Sequence, residues 1–140
     1  RILAIDGELN ANMPREFGKC FDYFISQAYG CSGDSNLDGR LQSCANYFSE
    51  VPFKDVARRF IVTENFENIT YRTNGGANYR TRDGESMKSV AGMAQWQPII
   101  EGEKVMKGGC GTYHMEYEYR NPEPYKFLIE AIQIQNPARK

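Results

Sequence analysis

His114 and Glu116 are the residues of this chain whose types and spacing first suggest chemistry. Two positions apart on an extended strand they would share a face, as a general base and its orienting carboxylate do. Glu118 and Arg120 continue that face, however, and four polar side chains in a row read as a solvated surface. No glycine-framed serine accompanies the single histidine, so a Ser-His-Asp triad has no support. Cys110, set in Gly108-Gly109-Cys110-Gly111, would be an accessible nucleophile, but the cluster lacks the Lys-Ser/Thr of a phosphate loop, and pairing with another cysteine explains it more simply. Asp34-Ser35-Asn36-Leu37-Asp38-Gly39 opens like a calcium loop. Ala45 stands where the bidentate carboxylate is needed, so a polar turn with Asp38 capping a helix is expected instead. No catalytic residue, cofactor or metal site emerges, and the expected protein is not an enzyme. Asn68-Ile69-Thr70 is a glycosylation sequon if the chain is secreted by a eukaryotic route.

The elements that would position these residues belong to a chain of 140 residues, the size of one domain, expected to span 1–140. Its 17 Lys and Arg nearly balance 18 Asp and Glu, which leaves no field for phosphate backbones or anionic lipid and argues against direct nucleic-acid binding. No run approaches the roughly 20 apolar residues of a membrane helix. The sequence opens on Arg1 without a methionine and reads as a processed piece, whose leader or anchor would lie upstream. Cys20, Cys31, Cys44 and Cys110 have no zinc spacing. An even set suits two disulfides in an oxidising compartment, with the connectivity open and reduced buried thiols as the alternative.

Residues 1–13 read as an N-terminal extension and residues 14–64 as a helical part. Pro14 can open a helix carrying Phe17, Phe21, Phe24, Ile25 and Ala28 on one face. Leu41, Cys44, Ala45 and Phe48 repeat the pattern in a second helix, and Phe53, Val56, Ala57 and Phe60 in a third. Residues 74–84, rich in Gly, Asn and Arg, read as a loop. Residues 86–135 read as the sheet part. A strand is expected over 90–96 with Gly92 as a bulge, and another where Tyr113, Met115, Tyr117 and Tyr119 alternate with polar residues. After the turn at Asn121-Pro122, residues 125–135 form a last strand bearing Phe127. The expected class is α+β, with N-terminal helices on an antiparallel sheet and a core of Phe17, Phe21, Phe24, Leu41, Phe48, Phe53, Phe60, Tyr113, Tyr117 and Phe127.

Leu41-Gln42, Ser43-Cys44, Tyr47-Phe48, Phe53 and Phe60, then Ala94-Gln95-Trp96-Gln97-Pro98-Ile99-Ile100 and Gly111-Thr112-Tyr113, together resemble the periplasmic domain of the DotI/IcmL/TraM inner-membrane subunits of type IV secretion and conjugation machines. The resemblance implies a curved, cone-like sheet of the nuclear-transport-factor type and a membrane helix upstream. It also implies a periplasmic scaffold that binds weakly to copies of itself and to other channel subunits. Alternatives are a small-ligand binder or isomerase on the same cone, and a secreted module stapled by disulfides.

Overall fold

The computed structural model describes residues 1–7 and 13–137. Residues 8–12 of the expected extension lie outside the described residues. The chain begins with strand β1 (Ala4–Asp6), a 3-10 helix (Arg15–Cys20) and strand β2 (Tyr23–Gln27). Helices α1 (Asp34–Tyr47) and α2 (Phe53–Arg59) lead into β3 (Phe60–Asn65). Helix α3 (Ile69–Asn74), the hairpin β4 (Asn78–Arg80) and β5 (Ser86–Lys88), helix α4 (Ser89–Gln95) and the hairpin β6 (Ile99–Ile100) and β7 (Glu103–Lys104) come next. Strand β8 (Gly109–Tyr113) and helices α5 (Met115–Tyr119) and α6 (Lys126–Gln135) complete it.

The fold therefore mixes helices and strands as expected, but its main sheet is parallel, not antiparallel. Its four strands lie in the order β1-β2-β3-β8, every neighbour parallel. Only the small hairpins β4-β5 and β6-β7 are antiparallel. Among the described residues the sheet stays open, with β1 and β8 at its edges.

Strand alternation explains the two faces. Along β3, Phe60, Val62 and Glu64 are buried while Ile61, Thr63 and Asn65 between them are half-buried. Phe60 and Val62, with Phe24 of β2, pack into the main core against Leu37, Leu41, Cys44 and Ala45 of α1 and Val56 and Ala57 of α2. A smaller core joins Phe66, Val90 and Ala94 to Ala131 and Phe127 of α6. The other sheet face is open: a Cβ added at Gly111 would meet nothing within 4 Å.

Four expected elements change type. The first helix gives way to the 3-10 turn and β2, because Tyr23-Phe24-Ile25 finds parallel partners on both sides, in β1 and β3. Phe17, expected in the core, consequently sits on the surface, 46% exposed. Residues 90–96 fall mostly in α4, where Val90, Met93 and Ala94 recur at helical spacing and are buried. Gly92 is no bulge there; it lets the Tyr79 ring lie against the helix, where a Cβ would come within 2.3 Å of Tyr79 Cδ1. Finally, β8 stops at Tyr113 and the tyrosine alternation continues as α5, while residues 126–135 are helical and bury Ala131 four places after the half-buried Phe127. Residues 74–84 hold the end of α3 and strand β4, so they are not a bare loop.

Candidate functional site at the carboxyl ends of the parallel strands

Partner residues in a parallel ladder point to the same face, so the open face can be read row by row. Asp6, Ile25, Ile61 and Gly109 form one row, Gln27, Thr63 and Gly111 the next, and Asn65 and Tyr113 the last. The rows become polar and aromatic toward the carboxyl ends. In open parallel sheets and in parallel barrels alike, that end is where ligands are bound, because the loops leaving it can vary while the strands hold them.

Tyr29, two residues beyond β2, turns its ring toward Tyr113 with centroids 6.0 Å apart. Burial pushes the Tyr29 phenol above its ordinary pKa, and the carboxylate of Asp6, the Tyr113 hydroxyl and the carboxylate of Glu67 add to the rise, against a hydrogen bond with Thr63. Tyr113 is 42% exposed. These two rings with Gln27, Thr63 and Asn65 make a shallow surface of flat apolar faces edged by amide and hydroxyl groups. A cleft of about 960 Å³ between the β1-β2 edge and α1 opens beside it, with Gln27, Tyr29, Arg40, Ser43 and Tyr47 among its lining.

His114 follows directly, in the left-handed backbone region with φ 52° and ψ 74°, a conformation that non-glycine residues adopt sparingly and that clusters at functional sites. Its Nδ1 lies 2.8 Å from Glu116 Oε1 and its Nε2 3.4 Å from Glu67 Oε1. The hydrogen bond from His114 holds the Glu116 carboxyl below its usual range. His114 and Glu116 are thus in contact, as their types suggested, though across a helix start instead of along a strand. Tyr117 stands beside His114 with ring centroids 5.6 Å apart, and the guanidinium groups of Arg72 and Arg120 each lie 5.2 Å from the Tyr117 ring centroid.

The turns that carry Tyr29 and Asn65 are tied together from beneath by a residue the sequence did not single out. Glu64 is fully buried on the helix side of β3. Its Oε1 accepts the Gly30 and Asn65 amides, each at 2.8 Å, and its Oε2 accepts the Ser89 hydroxyl of α4. One carboxylate thereby holds the ends of β2 and β3 to each other and to the helix behind them. The overlooked signal was two runs, Tyr23-Phe24-Ile25-Ser26-Gln27 and Phe60-Ile61-Val62-Thr63-Glu64-Asn65, aromatic or β-branched at the start and polar at the end.

The remaining expected residues are dispersed. All four cysteines are free: Cys20 is exposed, Cys31 and Cys44 are buried and Cys110 is half-buried, which corrects the expected disulfides. Cys20 lies in the 3-10 helix, Cys31 in the connection before α1, Cys44 in α1 and Cys110 in β8; the Cys31 thiol donates to the Gly33 carbonyl, and burial pushes the Cys44 thiol up to about 12. Asp34 and Asp38 are not in a turn between helices but in the first turns of α1. Asp34 accepts the Tyr79 hydroxyl at 2.6 Å and the Arg82 amide at 2.8 Å; Asp38 accepts from Arg82 at 2.7 Å and from the Trp96 indole at 3.1 Å. No group of three or more metal-ligating side chains assembles among the described residues. Of the expected core, Phe24, Leu41, Phe48 and Phe60 are buried and Phe21 and Phe53 pack against them. Tyr117 and Phe127 are half-buried, and Tyr113 faces the site. Asn68 of the sequon caps α3, its side chain accepting from the Thr70 and Tyr71 amides.

Residues 1–134 match the family model described as "Glycoside hydrolase family 18, BT1044-like". The chain belongs to that family. A solved structure of BT1044, a Bacteroides protein, in a selenomethionine form with a Glu-to-Gln exchange, is similar to it at 29% identity and a TM-score of 0.72. The likeness covers 98% of this chain and 40% of that one, so the chain spans less than half the length of the structure it matches. No curated protein matches. The family match overturns the resemblance to DotI/IcmL/TraM subunits and, with it, the type IV secretion and conjugation role. The aromatic spacing from Leu41 to Phe60 that carried the resemblance is the buried side of α1, α2 and the start of β3, a pattern that any helices packed on a sheet produce. The partners and periplasmic placement drawn from it lose their basis. Among the described residues no helix is long and apolar enough to cross a membrane.

Proposed function

We propose that this chain contributes a sugar-binding edge to a glycoside hydrolase domain, with Tyr29 and Tyr113 as ring platforms and Gln27, Thr63 and Asn65 as hydrogen-bonding partners of the sugar hydroxyls. The observation that carries this is the pair of tyrosines at the carboxyl ends of parallel strands β2 and β8, on the open face of a sheet from a glycoside hydrolase family. A pyranose presents apolar C–H faces and polar edges, and such a surface complements both.

The catalytic step is a proposal about the whole protein. Glycosidases commonly use two carboxyl groups, but family 18 enzymes are substrate-assisted, so one protein carboxyl acting as general acid is sufficient. Most of the length of BT1044 has no counterpart in these residues, and the acid need not come from this segment. The unpaired edges of β1 and β8 and the open sheet face support the same reading, since further parallel strands would cover them as in a closed barrel. Titrating a panel of oligosaccharides into the full-length protein tests the site. Tyr29→Ala and Tyr113→Ala should each weaken the best ligand by about tenfold, roughly 1.4 kcal/mol. Unchanged affinity in both variants, or no oligosaccharide bound at all, would refute it.

A further inference from the structure

We propose that the cleft between the β1-β2 edge and α1 receives the carboxylate of an acidic sugar, with Arg40 as its partner. The inference rests on the sugar-site reading above and names the substrate class of that site. Gln27 and Tyr29 belong both to the platform and to the lining of the cleft, so a sugar unit attached to the ring at Tyr29 can extend into about 960 Å³ of open space. Among the described residues that line the cleft, Arg40 is the one charged side chain. Asp6 stands between the lining residues Ile5 and Gly7 but is not itself part of the lining. The carboxylates of α1 are occupied elsewhere, Asp34 by the Tyr79 hydroxyl and the Arg82 amide, Asp38 by the Arg82 guanidinium and the Trp96 indole. Arg40 forms no ion pair among the described residues. It is half-buried, and two neutral acceptors hold it: its Nε donates to Asn36 Oδ1 at 3.0 Å and its Nη1 to the Gln27 carbonyl at 3.3 Å. These bonds fix the plane of the guanidinium and use two of its five N–H groups, which leaves three for a ligand. The Asn36 amide, with its oxygen turned to Arg40, has its NH2 as a further donor. A fixed, unpaired guanidinium matches the flat, two-oxygen edge of a carboxylate and binds it in charge-assisted hydrogen bonds stronger than those a neutral hydroxyl makes.

The experiment is calorimetric titration of the full-length protein with uncharged oligosaccharides and with the same oligosaccharides carrying a uronic or sialic acid. The acidic members should bind about tenfold more tightly, the size of effect that one charge-assisted contact produces. Raising the salt to about 0.5 M, where screening shortens to a few ångströms, should narrow the gap. Arg40→Gln should abolish the preference and Arg40→Lys, which keeps the charge without the planar fork, should retain part of it, each read as the ratio of the two affinities so that any general loss of binding cancels. Equal or weaker binding of the acidic sugars overturns this inference and leaves the sugar site standing. A preference that survives in Arg40→Gln overturns the assignment to Arg40. Binding of neither set overturns both readings.

Discussion

Replacing Glu64 by alanine tests whether the two βα turns of the site are held by one buried carboxylate. The wild-type side chain satisfies three donors: the Gly30 and Asn65 amides, each at 2.8 Å, and the Ser89 hydroxyl. Stranding a buried donor costs roughly 1–3 kcal/mol. Ser89 Oγ also accepts the Ala77 amide at 2.9 Å, so its hydroxyl keeps one anchor, and relief of the buried carboxylate's desolvation offsets part of the loss. The expected net cost of Glu64→Ala is therefore about 3–5 kcal/mol. Glu64→Gln retains the oxygen that receives both amides and turns its NH2 toward Ser89 Oγ, which can accept from it. That variant should cost only about 1 kcal/mol. Urea unfolding compares the three proteins, and hydrogen exchange at the Gly30 and Asn65 amides reports the turns themselves. Both amides should lose protection in the alanine variant and keep most of it in the glutamine variant, with sugar affinity following the same order. An alanine variant within about 1 kcal/mol of wild type, with both amides still protected, would show that the turns hold themselves and refute the reasoning.

Glu118 gives a pH signature. Burial raises its pKa above the ordinary carboxylate value, against hydrogen bonds from the Leu128 and Phe127 amides. The folded state then binds the extra proton, so Glu118's contribution is fully present below the unfolded value near 4.3 and is lost as pH rises through the folded one. Glu118→Gln should flatten that decline, and an unchanged pH profile of unfolding would contradict it. Thiol titration should find Cys20 reacting quickly in the native protein and Cys31, Cys44 and Cys110 only after denaturation, because the latter three thiols are pushed upward by burial. Fewer than four reactive thiols under denaturing, non-reducing conditions would restore the disulfides. Tyr79→Phe, which removes the buried hydrogen bond to Asp34, should cost about 1.5–3 kcal/mol in thermal or urea unfolding, and a neutral result would mean that the Arg82 amide alone satisfies Asp34.

What the sequence determined by itself is local. The apolar spacing of Leu41, Cys44, Ala45 and Phe48 and of Val56 and Ala57 marks helices that bury one face, and α1 and α2 do so. The balanced charge and the missing fourth corner of the calcium loop were equally legible. Strand direction was not, because β2, β3 and β8 pair across 36 to 48 residues and nothing in the order of residues states whether a neighbour runs with or against them. The run from Phe127 to Ile134 fits both periods, and only its packing against α4 makes it a helix. The candidate site is a still stronger case. Tyr29 and Tyr113 are 84 positions apart, and neither has a local partner that would mark it. They meet because parallel pairing places the carboxyl ends of β2, β3 and β8 side by side, and Glu64, reading as one more charge in the sequence, becomes the buried clasp of those ends only once the sheet and α4 close around it.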